Sequence, residues 1–222
     1  MIDYIWRMHS LAEENYLKAL YNLANHHGLV AIAELSKHLE VKMPTATSMM
    51  KKLAEKKLVH YESYKPIRLT EKGKKSAALV VRKHRLTEMF LVQTMGFGWE
   101  KVHTIAEQLE HIHHPDFFDK MDEMLGFPKV DPHGSPIPDK NGKVDWIAYV
   151  KLSECKAGQT VTLRAVTHSS AEFLQFLNNQ HLSLGLKLKI KSVESFDGSM
   201  QINYAGKTNT FSLMVSEKLL VE

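Results

Sequence analysis

Four residues within one short stretch carry the most constraining chemistry in the chain: His103, Glu107, Glu110 and His111. At about 100° per residue they fall within roughly a 100° arc of a helix, so their side chains project from one face. His84 and Glu88, an i, i+4 pair one predicted helix earlier, can face that ledge. Imidazole nitrogens and carboxylate oxygens without thiolate suit Mn²⁺, Fe²⁺, Zn²⁺ or Ni²⁺ rather than a soft ion such as Cu(I). Taken singly, residues such as His113, His114 and His133 read as a solvated polar face. Gathered on adjacent helices, the larger group points to a divalent-cation site.

Charge is unevenly spread over the 222 residues, although the net value is only +4. Residues 1–85 hold 16 Lys+Arg against 8 Asp+Glu, residues 86–150 hold 5 against 11, and residues 151–222 hold 8 against 6. A basic front suits a polyanion and an acidic, His-bearing middle suits a cation. The single Cys155 excludes an internal disulfide framework and fits a reducing compartment. No apolar run is long enough to span a bilayer, and the opening MIDYIWRMHSLAEE lacks the layout of a secretory leader, so a cytoplasmic location is expected.

The elements that must position these residues follow from periodicity. SLAEENYLKALYNLAN (10–25) predicts a helix with Ser10 as N-cap and Glu13 completing a capping box. AIAELSKHLE (31–40) predicts a second helix, and PTATSMMKKLAEKKLV (44–59), with Pro44 in its first turn, a third. Two short helices around a tight turn, the second rich in Lys, read as helix-turn-helix, and LVHYESYKPIRLT (58–70) as a two-stranded wing. Helices over about 71–95, 99–113 and 115–125 follow. DPHGSPIPDKNGK (131–143) reads as a loop or linker, and the tail alternates as strands around one helix, SSAEFLQFLNN, forming a small β-barrel.

On the candidate reading helix, Lys42, Thr45, Thr47, Lys51 and Lys52 are placed to hold phosphates, while Ser48 and the Pro44 ring can reach base edges. With no Arg, Asn or Gln in this segment, sequence choice rests on thymine methyls and DNA shape. Lys56, Lys57, Tyr61, Tyr64 and Lys65 are candidates for backbone contacts from the helix end and wing. The apolar residues Phe90, Leu91, Val92, Phe117 and Phe118 are either core or a homodimer face.

Several blocks together carry a resemblance: EENYLKALYNL (13–23), PTATSMMKKLAEKKLV (44–59), RLTEKGKK (68–75), RKHRLTEMFL (82–91), KVHTIAEQLEH (101–111) and PHGSPIP (132–138). The chain resembles the diphtheria-toxin-repressor and manganese-regulator family over almost its whole length. The resemblance implies a mainly α fold with a small β domain. It implies a winged helix-turn-helix over 1–73, a helical dimerisation and metal-binding domain over 74–140, a linker over 141–153, and an SH3-like, FeoA-type barrel over 154–222.

It also implies a primary metal set of Asn15, Glu107 (with its carbonyl oxygen), Glu110 and His111. A second set is implied from His84, Glu88 and His103 with a barrel ligand, for which His168 can serve and Ala165 cannot. Asn15 stands where relatives carry Met or Asp, and Glu107 where iron-sensing members tend to carry Cys, so Mn²⁺ is favoured with Fe²⁺ as the alternative. Lys18 stands where manganese-type relatives offer a carboxylate, which speaks against a bridged two-metal arrangement. The function implied is a metal-activated repressor that binds palindromic operator DNA as a homodimer and controls metal-homeostasis genes. The competing classes are a metal-dependent hydrolase, a winged-helix regulator sensing an organic ligand, and a ferrous-transport accessory. Against an enzyme, there is no HExxH, nucleophile elbow or Gly-rich phosphate loop.

Overall fold

The computed structural model describes residues 9–24, 27–167 and 169–222. They form two compact units, one drawn from the described residues up to Phe90 with Ile105–Lys129 and Ile137–Asp145, the other from Leu91–Thr104, Val130–Pro136 and the described residues from Trp146 onward.

In the first unit, α1 (Leu11–Leu23) opens on the expected capping box: Ser10 Oγ accepts from the Glu13 amide, and Glu13 Oε2 accepts from the Ser10 amide. Strand β1 (Leu29–Val30) leads to α2 (Ile32–His38) and then α3 (Met43–Glu55), where Pro44 occupies a first-turn position that needs no intrahelical N–H. Ala46, Met50 and Leu53, spaced four and three residues apart, line one side of α3 and pack with Leu17, Leu20 and Leu35. Strands β2 (Val59–His60) and β3 (Ile67–Leu69) make the hairpin, but β1 also pairs with β3, Val30 opposite Ile67. The wing sheet is therefore three-stranded, in the order β1-β3-β2, where the sequence predicts two strands. A strand of two residues is too short to show an alternation.

Helix α4 (Glu71–Gln93) starts against this sheet. A Cβ on Gly73 would lie 1.9 Å from the Leu58 carbonyl oxygen, so only glycine permits the approach. α5 (Val102–Leu109) is shorter than the predicted 99–113, and α6 (Pro115–Met124) follows. Glu110 still donates its amide to the Ala106 carbonyl, but Glu110 and His111 lie in the turn after the helix. Leu86, Phe118, Met121, Leu125 and Ile137 form the core here. Of the apolar residues left between core and interface, Phe118 and Leu91 are buried, Phe90 and Val92 half-buried, and Phe117 is exposed, as are Met124 and Phe127.

The second unit is an antiparallel six-stranded sheet. In chain order its elements are β4 (Val150–Lys151), β5 (Thr160–Val166), α7 (Ala171–Asn179), β6 (Lys187–Val193), β7 (Met200–Tyr204), β8 (Lys207–Phe211), α8 (Leu213–Ser216) and β9 (Leu219–Val221). The alternation read from TVTLRAV, KLKIKSV and MQINY places Leu163, Leu188, Ile190, Met200 and Ile202 inward. The sheet order β4-β9-β5-β6-β7-β8 brings the chain's last strand between β4 and β5. Gly134, in the PHGSPIP turn, has φ +87°, and a Cβ there would meet the Arg164 carbonyl oxygen at 2.2 Å. The turn is thus seated on β5, where the Val166 amide donates to the His133 carbonyl.

Candidate metal centre

The side chains gathered in the first unit come from three places. Helix α1 supplies Glu14 and, one turn on, Lys18; α4 supplies Lys83, His84 and Glu88; α5 and the turn after it supply Glu107, Glu110 and His111. Glu110 is 0% exposed, and Glu14, Lys83 and Glu88 are buried.

Glu110 is the hub. Its Oε2 lies 2.5 Å from His84 Nδ1, and Lys18 Nζ stands 2.7 Å from its Oε1 and 2.9 Å from its Oε2. The same ammonium lies 2.6 Å from Glu107 Oε1. His84 turns its other nitrogen, Nε2, to Glu88 Oε1 at 3.0 Å. His111 Nδ1 lies 2.6 Å from Glu14 Oε2, and its Nε2 lies 3.6 Å from Glu110 Oε1. Lys83 donates to the Glu110 carbonyl at 2.8 Å and stands 3.6 Å from Glu14 Oε1.

Burial and pairing pull these groups in opposite directions. Burial alone would lower the pKa of His84, but hydrogen bonds to Glu110 and Glu88 push it up to about 9. Burial would likewise raise Glu110, yet His84 and Lys18 hold its carboxyl below the usual range. For Lys83 desolvation prevails over Glu14 and Glu110, and its pKa is lowered.

Whether these residues fit a divalent ion is tested by the donors they leave. Ligand atoms of His84, Glu107 and Glu110 all lie within 4.8 Å of one another. Asn15 Oδ1 is buried without a hydrogen-bond donor, while Glu110 Oε1 faces the Lys18 ammonium at 2.7 Å and His111 Nε2 at 3.6 Å. Buried acceptors without donors are costly, and a cation relieves that cost. Oxygen and imidazole donors of this kind suit a hard or borderline divalent metal.

A contact links the two sets named from sequence. His84, placed there in the second set, touches Glu110 of the first. His103 is exposed on the first turn of α5 and belongs to the second unit, Ala165 is buried in β5, and His168 lies outside the described residues. Glu14 and Lys83 are not singled out by spacing. Each is flanked by other polar residues, Lys83 by Arg82 and His84 and Glu14 by Glu13 and Asn15, so nothing in the local sequence marks it.

Toward the nucleic-acid side, Lys42, Pro44, Thr45, Ser48, Lys51 and Lys52 are exposed on α3 and Thr47 is half-buried. Lys52 and Lys56 reach back to Glu13 of α1, at 3.1 and 2.7 Å. Burial would raise Glu13, but Lys56, the Ser10 amide and Lys52 bring its carboxyl down to about 2. Tyr64 is fully exposed at the hairpin tip, with φ +66°, and Lys65 pairs locally with Glu62.

Comparison with known proteins agrees with this layout. Residues 8–67 match the iron-dependent repressor N-terminal DNA-binding domain, 70–139 its metal-binding and dimerisation domain, and 150–222 the FeoA domain. The iron-dependent repressor IdeR of Mycobacterium tuberculosis is 31% identical over 157 residues, 68% of either chain. The regulator MntR of Oceanobacillus iheyensis is 30% identical over 118 residues, 53% of this chain and 80% of that one. Among solved structures, a manganese-dependent transcriptional repressor in complex with manganese superposes with TM-score 0.86 at 30% identity, covering 94% of this chain and 98% of that one. ScaR with bound Zn²⁺ does so with TM-score 0.77 at 31% identity, covering 95% and 98%. A buried His–carboxylate cluster behind a winged helix, with these matches along the length of the chain, establishes that the protein belongs to the iron-dependent repressor family, which includes the diphtheria toxin repressor and manganese regulators.

Proposed function

We propose that the chain is a metal-activated repressor in which Asn15, Glu107, Glu110 and His111, together with His84, hold a divalent ion that governs how α3 meets DNA. The observation that carries this reading is the double attachment of α1. On one side its Glu13 holds Lys52 of α3 and Lys56 just past the end of that helix; on the other its Glu14 and Lys18 reach His111, Glu107 and Glu110. A change in how α1 is held at the cluster is therefore felt at the reading helix.

Such an ion would supply positive charge to residues from α1, α4, α5 and the turn after α5. Glu88 orients His84 through its hydrogen bond, as outer partners of metal-binding imidazoles do. Mn²⁺ is the favoured ion and Fe²⁺ the alternative, because every donor is oxygen or imidazole; Zn²⁺ can bind at least as tightly in vitro. This reading draws His84 and Glu88 into the primary set and assigns no role to His103 or His168.

Exposed Lys42, Lys51 and Lys52 hold phosphates, with Thr45 and the half-buried Thr47 beside them; Ser48 and Pro44 face base edges, and Tyr64 and Lys65 reach the backbone from the wing. Two chains are needed to read a palindrome, presenting their α3 helices about 34 Å apart in successive major grooves. Exposed Phe117, Met124 and Phe127 are the surface proposed for that homodimer. The genes controlled are those of metal-ion homeostasis, and the setting is the cytoplasm. No helix among the described residues is long and apolar enough to cross a membrane.

The experiment is fluorescence anisotropy on DNA selected from a random pool, with and without Mn²⁺. Tight binding only with the ion is expected; equal binding in its absence contradicts the reading.

A further inference from the structure

We infer that Lys18 is a tethered cation that competes with the metal for Glu107 and Glu110 and thereby sets the metal concentration at which the protein responds. The inference rests on the reading that these carboxylates hold the ion.

The geometry separates Lys18 from the other cation in the cluster. Lys83 is 1% exposed and is spent on the Glu110 carbonyl and Glu14, so it is a fixed part of the core. Lys18 instead contacts the side-chain oxygens themselves, both of Glu110 and one of Glu107. These are two of the three residues whose donor atoms come together within the first unit at metal-binding distances. The Lys18 side chain is 11% exposed and that of its partner Glu107 is 37% exposed, against 1% for Lys83, so the Lys18 pairing lies on the more open side of the cluster, at the end of a long flexible stem. A carboxylate oxygen at 2.6–2.9 Å from an ammonium cannot serve a divalent ion equally well while that pairing lasts, and two cations sharing such oxygens repel.

The carboxylates are therefore not a repelling set that waits for metal to assemble it, because Lys18 already neutralises them and links α1 to the region of α5. Metal binding is then an exchange of one cation for another, and every increment of Lys18 affinity for the pair is subtracted from that of the ion. A residue of similar length without charge removes the competitor.

The test is Mn²⁺ affinity of the full chain, read as free Mn²⁺ by electron paramagnetic resonance, for wild type, Lys18→Met, Lys18→Arg and Glu110→Gln, with thermal melts of each in chelator. Lys18→Met is expected to bind Mn²⁺ at least about tenfold more tightly and to melt lower in chelator, having lost its ion pairs. Lys18→Arg, which keeps the charge, should bind like wild type. Equal or weaker Mn²⁺ binding by folded Lys18→Met overturns the inference. If that variant does not fold, Lys18→Gln replaces it under the same criterion. Glu110→Gln separates the two readings: if it binds Mn²⁺ as wild type does, the metal assignment itself fails. If it binds weakly while Lys18→Met is unchanged, only the role of Lys18 fails.

Discussion

The reading helix α3 and the cluster around Glu110 sit on either side of α1 and are built by opposite rules. On α3 the polar groups face outward, and among the described residues Lys42 and Lys51 form no ion pair. In the cluster the charged groups are buried, apart from the half-buried Glu107, and nearly all are engaged with one another. The first arrangement suits a large polyanion that brings its own charge and displaces water and counterions. The second suits a small cation, because only a point charge can enter a buried carboxylate group and replace a charge already there. The two sites differ in residue type as well as in solvation: Lys, Thr and Ser lie in water on α3, and Glu and His are paired out of it in the cluster.

The largest effect should come from attacking the buried side. Replacing both Glu110 and His111 by Ala should weaken the Mn²⁺ response of DNA binding by about a hundredfold or more while the helical content by circular dichroism is kept. A retained response would mean that the ion is held elsewhere.

Next in size is the apolar support of α3. Leu53 is fully buried among Leu17, Leu20, Leu35 and Met50, and Leu53→Ala should cost about 3 kcal/mol in denaturant unfolding of the first unit. A loss below about 1 kcal/mol would mean that the exposed face of α3 is not held rigid by its core side.

The strap between the two regions has an acid signature. Glu13 ionises at about 2 in the folded chain against an ordinary 4.5, so its carboxylate stabilises the fold fully above pH 4.5 and loses that contribution as the pH falls toward 2. By that shift the Lys pairing and the capping box together are worth at most about 3 kcal/mol, and Glu13→Gln should flatten the stability–pH curve in this window. An unchanged curve would remove Glu13 from the strap.

The smallest effect belongs to the solvated side. Lys51→Ala should weaken DNA binding severalfold, and should reduce the slope of log K against log salt by about one for each phosphate that a chain no longer neutralises. No change in slope would place Lys51 off the DNA.

Much of the first region is legible in the sequence because its signals are local. The Ser10–Glu13 capping box, Pro44 in the first turn of α3 and the four-then-three spacing of Ala46, Met50 and Leu53 need only nearest turns, and the structure has all three. The alternation in TVTLRAV likewise coincides with β5. Strand β1 is not legible, since its two residues gain meaning only by pairing with β3. The end of α5 at Leu109 is hidden because the apolar period runs on past it. In the cluster, spacing marks His84, Glu107, Glu110 and His111 as donors, but it cannot tell which donors meet. That His84 joins Glu110, and that Lys18, Lys83 and Glu14 complete the charge balance, depends on contacts between helices some 26 to 97 positions apart in sequence.

The central claim is that α1 couples the metal cluster to α3, and coupling is reciprocal. The most direct measurement is the Mn²⁺ affinity of wild type and Glu13→Gln, each with and without saturating operator DNA. In wild type, DNA should tighten Mn²⁺ binding by the same factor, about tenfold or more, by which Mn²⁺ tightens DNA binding. In Glu13→Gln, Mn²⁺ affinity without DNA should stay close to wild type while that factor falls toward one. A coupling factor left intact in the folded variant would contradict the account.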